Sequence, residues 1–124
     1  MPQGSTTFHE SEAHLAPATR DMHRAIVSLM EELEAVDWYQ QRMDGTDSAD
    51  LRDILRHNRD EEKEHAAMVL EWIRRQDPAF DAKLREYLFK EGSIVRREAE
   101  LEGKAGGEAT NGDRGTRPSV GSLR

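Results

Sequence analysis

The chain has 124 residues, 35% charged and 35% hydrophobic, with a net charge of −7 and no cysteine. Without cysteine, disulfides, thiolate zinc sites and iron–sulfur clusters are excluded, and Asp, Glu and His remain as the strong metal ligands. The acidic balance argues against a nucleic-acid binder. No apolar run reaches the ~18 residues of a membrane span and there is no signal-peptide core, so the chain reads as cytoplasmic.

Residues 1–15 hold no stable apolar period and are expected to form a frayed lead-in, with no role for His9, His14 or His23. Pro17 suits a first helical turn, where its missing N–H costs nothing. From there Met22, Ile26, Leu29, Leu33, Val36 and Met43 keep a heptad-like spacing that predicts a helix to about Arg42. The run Asp44-Gly45-Thr46-Asp47-Ser48 ends it in a turn.

Asp47 or Ser48 then caps a second helix running to about Arg75, in which Leu51, Leu55, Asn58, Glu62, His65, Val69 and Trp72 fall on one stripe. Asp77 and Pro78 open a shorter third helix, whose Phe80, Leu84, Tyr87 and Leu88 share a face and which Gly92 ends. From 101 to 117 the sequence is polar, Gly-rich and aperiodic, as in a flexible linker, and it separates 118–124 as a distinct terminal segment. No two-residue period appears anywhere. The fold class is therefore all-α: a helical domain over 16–100, built as a two-helix antiparallel hairpin plus a short C-terminal helix. One hairpin buries little surface, so association with a further copy is expected.

Three polar residues on these stripes carry the chemistry. Glu62 and His65 are three residues apart, on one helical face, and can converge on a single ion. Burying a carboxylate and an imidazole in a helix seam is costly unless each is paired or metal-bound. On the first helix, Ala25, Leu29, Glu32, Val36 and Tyr39 make a parallel row in which Glu32 is the acid. One Glu and one Glu-x-x-His on two helices are half of a carboxylate-bridged di-metal site, which in ferritin-like bundles draws on four helices. Two copies about a two-fold axis complete the set and the four-helix bundle. Oxygen-rich ligation with one imidazole per metal suits iron or manganese.

The competing reading is a non-enzymatic helical adaptor, whose Glu62 and His65 form a buried polar seam with Asn58 as a register device. A haemerythrin-type oxygen carrier would use more His ligands, and a manganese catalase would supply all its helices from one chain. Among secondary positions, Glu31 and Glu34 lie one turn apart and suit either a hydrated cation or a solvated face. His57, Glu61 and Glu64 make an i, i+4, i+7 set that is either an outer metal site or a set of exchangeable surface pairs. Trp38 and Tyr39 read as packing residues, although Tyr39 stands on the row of Glu32, where it can hydrogen-bond a ligand or donate an electron.

The stretch Arg24-Ala25-Ile26-Val27-Ser28-Leu29-Met30-Glu31-Glu32-Leu33-Glu34-Ala35-Val36-Asp37-Trp38-Tyr39, followed by His57-Asn58-Arg59-Asp60-Glu61-Glu62-Lys63-Glu64-His65-Ala66-Ala67-Met68, resembles the encapsulated ferritin family. The resemblance continues through Leu70-Glu71-Trp72 and Tyr87-Leu88-Phe89 and covers about seventy of the 124 residues. It implies a ferroxidase with no cage of its own, assembled as an annular decamer of five dimers inside an encapsulin shell. It implies two Fe per dimer, held by Glu32, Glu62 and His65 of both chains, with Tyr39 close by as a further catalytic residue and Glu31 and Glu34 on the path by which metal arrives. The end of the chain, Pro118-Ser119-Val120-Gly121-Ser122-Leu123-Arg124, resembles the Gly-Ser-Leu peptides that load cargo into encapsulin shells. Val120 and Leu123 would be its apolar anchors, with Gly121 and Ser122 between them, and a linker before a short anchor is what a tethered cargo needs.

Overall fold

The computed structural model describes residues 6–108, the last five by their backbone alone. All regular structure among these residues is helical: a 3-10 turn at Glu12–His14, then α1 (Pro17–Gly45), α2 (Ala49–Gln76), α3 (Pro78–Tyr87) and α4 (Ile94–Glu108). None of these helices is long and apolar enough to cross a membrane.

Local chemistry sets the boundaries. α1 starts with Pro17 at its first position. It ends three residues beyond the expected Arg42, because Arg52 of α2 reaches back to the carbonyl oxygens of Met43 (Nε, 3.3 Å) and Thr46 and satisfies acceptors the helix leaves open. Ser48 caps α2, its Oγ accepting from the Leu51 N–H at 3.2 Å. Asp77 caps α3, its Oδ1 accepting from the Phe80 N–H at 3.0 Å.

α1 and α2 pack as the antiparallel hairpin; α1 presents the row that carries Glu32 and not the heptad-like stripe, and on α2 the packed face is rotated by about one residue from the expected stripe. On α1 the covered row is Ala25, Leu29, Glu32, Val36, Tyr39 and Met43; on α2 it is Leu55, Arg59, Glu62, Ala66, Val69 and Ile73. Ile26 and Leu33, expected on the inner stripe of α1, are exposed, as are Leu51 and Trp72 of α2. Apolar residues occupy two adjacent 4, 3 rows on each helix, and one helix-to-helix contact covers only one of them. The buried apolar side chains among the described residues are Met43, Leu55, Ala66 and Ile73, of which Ile73 is fully buried. That core is too small for a stable isolated domain of this length. The outer rows, with Ile54 and Met68 added, form an apolar face larger than a solitary chain normally shows to water.

By contacts the chain divides into two units, Met1–Ala82 and Lys83–Arg124, with the break inside α3. In the first unit, Arg74 grips Glu71 at 2.7 Å and pairs with Asp81, tying α2 to the start of α3. Arg75 joins the same Glu71 carboxylate at 2.7 Å.

Two expectations are corrected. The lead-in is docked where it is described, not frayed: His23 Nε2 meets the Thr6 carbonyl oxygen at 3.1 Å, and the ring of Phe8 lies 4.7 Å from that of His23. Arg20 donates to the carbonyls of Leu15 (2.7 Å) and Glu12 (3.2 Å). His23 thus has partners in the lead-in, beyond the helical spacings searched for them. The second correction is α4, which begins before the expected linker and carries its first residues as helix to Glu108. Phe89 and Gly92, with φ of 60° and 91°, reverse the chain after α3. Ser93 then caps α4 through the Arg96 N–H at 3.1 Å, and Arg97 Nε donates to the Glu86 carbonyl at 2.9 Å. The rest of the linker and the segment 118–124 lie outside the described residues.

Candidate metal centre

Glu32 enters the site from the covered row of α1, a little beyond its midpoint. Opposite it on α2, Glu62 occupies the row that faces α1, and His65, one turn later, stands at the border between that row and the open apolar face. His65 Nδ1 lies 3.1 Å from Glu62 Oε1 and 3.6 Å from Glu32 Oε2. One donor atom from each of the three residues falls within 4.8 Å of the others. The carboxylate side chains are 24% (Glu32) and 23% (Glu62) exposed, against 42% for His65, so the group is sheltered by the hairpin on one side and open on the other.

The electrostatics follow from two carboxyl groups sharing one hydrogen bond. Glu32 is held above the usual carboxylate range, first by its hydrogen bond to Glu62, then by burial and by the Glu62 charge. Glu62 is held below it by the same hydrogen bond, with His65 adding to the effect against burial. His65 is raised by its hydrogen bond to Glu62 and by the charges of Glu32 and Glu62, against desolvation. A divalent cation at this point would take over the hydrogen bonds that now tie Glu32, Glu62 and His65 to one another. Two carboxylates and one imidazole with no sulfur are a donor set for iron or manganese, and their chemistry fits such an ion. Three donors from one chain leave the coordination sphere incomplete on the side where His65 is open.

The other expected residues do not join this group. Tyr39 stands seven residues beyond Glu32 on the same row, half-buried, with Arg42 over its ring at 5.4 Å. Glu31 is exposed and Glu34 half-buried, and neither enters a cluster of three or more donor residues. His57 and Glu61 approach only to 4.0 Å on an exposed surface, and Glu64 does not converge with them. Two residues next to the site were missed from the sequence. Arg59 donates to Gln40 across the hairpin at 2.7 Å. The signal available was a cation at 59, 4, 3 spaced with Leu55 and Glu62 on the row that faces α1.

A sequence model of the EncFtn-like family matches residues 7–91. The encapsulated ferritin-like protein of Rhodospirillum rubrum is 54% identical over 113 residues, which is 91% of this chain and 79% of that protein. An encapsulin nanocompartment cargo protein of Myxococcus xanthus is 34% identical over alignments covering 100% of this chain and 99% of its own. The crystal structure of a Nitrosomonas europaea protein, 61% identical, superposes with a TM-score of 0.68 and covers 70% of this chain and 96% of that one.

Proposed function

The chain belongs to the EncFtn-like family, and from that premise we propose that it oxidises Fe²⁺ with O₂ at a di-iron site formed where two copies meet. The observation that carries this reading is the convergence of Glu32, Glu62 and His65 from two helices to within 4.8 Å of one another, with each of them part-exposed. A second copy brought there by a two-fold axis would supply the same three residues, so that Glu32, Glu62 and His65 of both chains would hold two ions. The exposed apolar row of Leu51, Ile54, Met68 and Trp72 runs past His65 and supplies the surface on which that copy would pack.

Fe²⁺ is the substrate. Anionic ligands favour Fe³⁺ over Fe²⁺, and two Fe²⁺ held by these residues would together supply the two electrons that, with two protons, take O₂ to the peroxide level without a free one-electron oxygen radical. Protons leave Glu32 and His65 as the cations arrive, because both groups bind metal only in their deprotonated form. Tyr39 is assigned a supporting place beside the Glu32 row, and Glu31 and Glu34 the capture of hydrated cations before the site.

The names of the Rhodospirillum and Myxococcus relatives support a cargo role. In this reading the dimers form a ring, a decamer, inside a cytoplasmic encapsulin compartment that holds the oxidised iron. Residues 109–117 tether the domain, and Val120, Gly121, Ser122 and Leu123 dock on the shell.

The adaptor reading has one observation on its side: Glu62 and His65 pair directly with each other at 3.1 Å. Metal analysis together with O₂ uptake decides between them. Protein purified under N₂, loaded with Fe²⁺ and exposed to O₂ should consume O₂ and gain the near-ultraviolet absorbance of Fe³⁺. Protein that binds no divalent metal and leaves Fe²⁺ oxidation at the buffer rate is an adaptor.

A further inference from the structure

Arg59 occupies a row that faces the partner helix, and its side chain is only 18% exposed. An apolar residue would pack there at less desolvation cost, so the guanidinium needs an account. Its contacts form a chain across the hairpin. Nε donates to Asp60 Oδ1 at 3.0 Å, and Nη1 donates to Gln40 Oε1 at 2.7 Å. Gln40 Nε2 in turn donates to Asp44 Oδ1 at 3.0 Å, which fixes the amide with its oxygen toward Arg59. A carboxylate at each end thus orients this side-chain bond from α2 to α1.

We propose that Arg59 and Gln40 are positioning residues that set the register of α2 on α1, and so the distance between Glu32 and the Glu62/His65 pair. This rests on the metal-site reading above. Glu62 and His65 share one helix and keep their spacing whatever the hairpin does, whereas Glu32 approaches only if the two helices hold their axial alignment. A slip of one residue moves a helix by about 1.5 Å, while ligand distances must hold to about 0.2 Å. Arg52 ties the turn end of the hairpin, and Arg59, seven residues on, is the next cross-helix tie before Glu62.

The test uses the full-length, metal-free oligomer and Co²⁺ as the probe, followed by its visible absorption. Gln40 is exposed, so Gln40→Leu removes the acceptor without opening the core, and Gln40→Glu retains it. Gln40→Leu and Arg59→Leu should each weaken Co²⁺ binding about tenfold, as loss of a residue that orients a metal ligand does, and should alter the spectrum. Gln40→Glu should bind as the unmodified protein does, and the double Leu variant should lose no more than either single one. Circular dichroism and native mass, run beside the titrations, should show helices and assembly unchanged for Gln40→Leu. If Gln40→Leu binds Co²⁺ with unchanged affinity and spectrum while Glu32→Ala abolishes binding, the positioning role is wrong and the metal site stands. If the unmodified protein binds no Co²⁺ through Glu32, the metal-site reading falls and this inference falls with it.

Discussion

Glu32 and His65 stand on different helices, thirty-three positions apart in sequence, yet the carboxylate Oε2 of one lies 3.6 Å from Nδ1 of the other. Glu62 completes that contact from within α2. The chemistry of the site is therefore a property of the hairpin, and in the proposed function of two hairpins.

The exposed apolar rows set the first expectation. A single chain should not persist as a folded monomer, and native mass at micromolar concentration should show multiples of 14.1 kDa. Met68 is 59% exposed on the face that carries His65, and Met68→Glu should shift the population toward smaller, less helical species by placing a charge where an apolar contact is required. A helical monomer as the main species of the unmodified protein, or a Met68→Glu variant of full mass, contradicts the pairing.

The Arg74 corner predicts a pH signature unrelated to iron. Arg74 and then Arg75 hold the Glu71 carboxyl down to about 2, well under its ordinary 4.5. A lowered folded-state value means that this carboxylate stabilises the fold fully above pH 4.5 and loses that contribution as the pH falls toward about 2. Glu71→Gln should therefore melt at a lower temperature than the unmodified protein at pH 7, with the gap closing between pH 4.5 and 2. A gap that stays constant across that range assigns the effect to packing instead.

Much of this was legible in the residues, and the exceptions have specific causes. Pro17, Ser48 and Asp77 marked helix starts, because a missing N–H or a side-chain acceptor at those places has few other uses. Glu32, Glu62 and His65 were legible because charged groups stood where apolar ones belonged. The row that α2 packs, and the choice between the two rows named on α1, were not, since both helices carry two overlapping 4, 3 patterns and only contact between them selects one. α4 was missed because glycines at 103, 106 and 107 outweighed the Ser93 cap and the Ile94, Arg97, Leu101 spacing. The lead-in was missed because its order comes from His23 and Arg20, further along the chain, and not from any period of its own.

The terminal segment yields an expectation independent of the site. Deleting Val120 through Arg124 should leave Fe²⁺ oxidation within about twofold of the full chain, because these residues follow the linker, while co-assembly with an encapsulin shell protein should fall to background. Co-expression followed by isolation of intact shells measures the loaded fraction directly. Equal loading of the truncated and full-length chains removes the docking role from Val120 and Leu123.

The last expectation tests the site through its own geometry. Glu32→Ala, Glu62→Ala and His65→Ala should each cut O₂-dependent Fe²⁺ oxidation by more than about 100-fold, the upper end of what loss of an outer ligand partner costs. Each substitution occurs twice in a symmetric pair, so one mutation removes two ligands at once. Glu64→Ala is the control, since Glu64 is exposed on the same helix and outside the converging group, and it should keep near-full activity. Stability should not follow activity. Glu32 lies inside α1 and outside the buried apolar core, so Glu32→Ala, to a good helix former, should stay folded and assembled. Activity is read as absorbance growth after anaerobic Fe²⁺ addition and exposure to O₂, with native mass measured on the same samples. Should assembled Glu62→Ala and His65→Ala proteins oxidise Fe²⁺ at the unmodified rate, the three residues are a polar seam, and the search for the oxidation site moves elsewhere on the assembly.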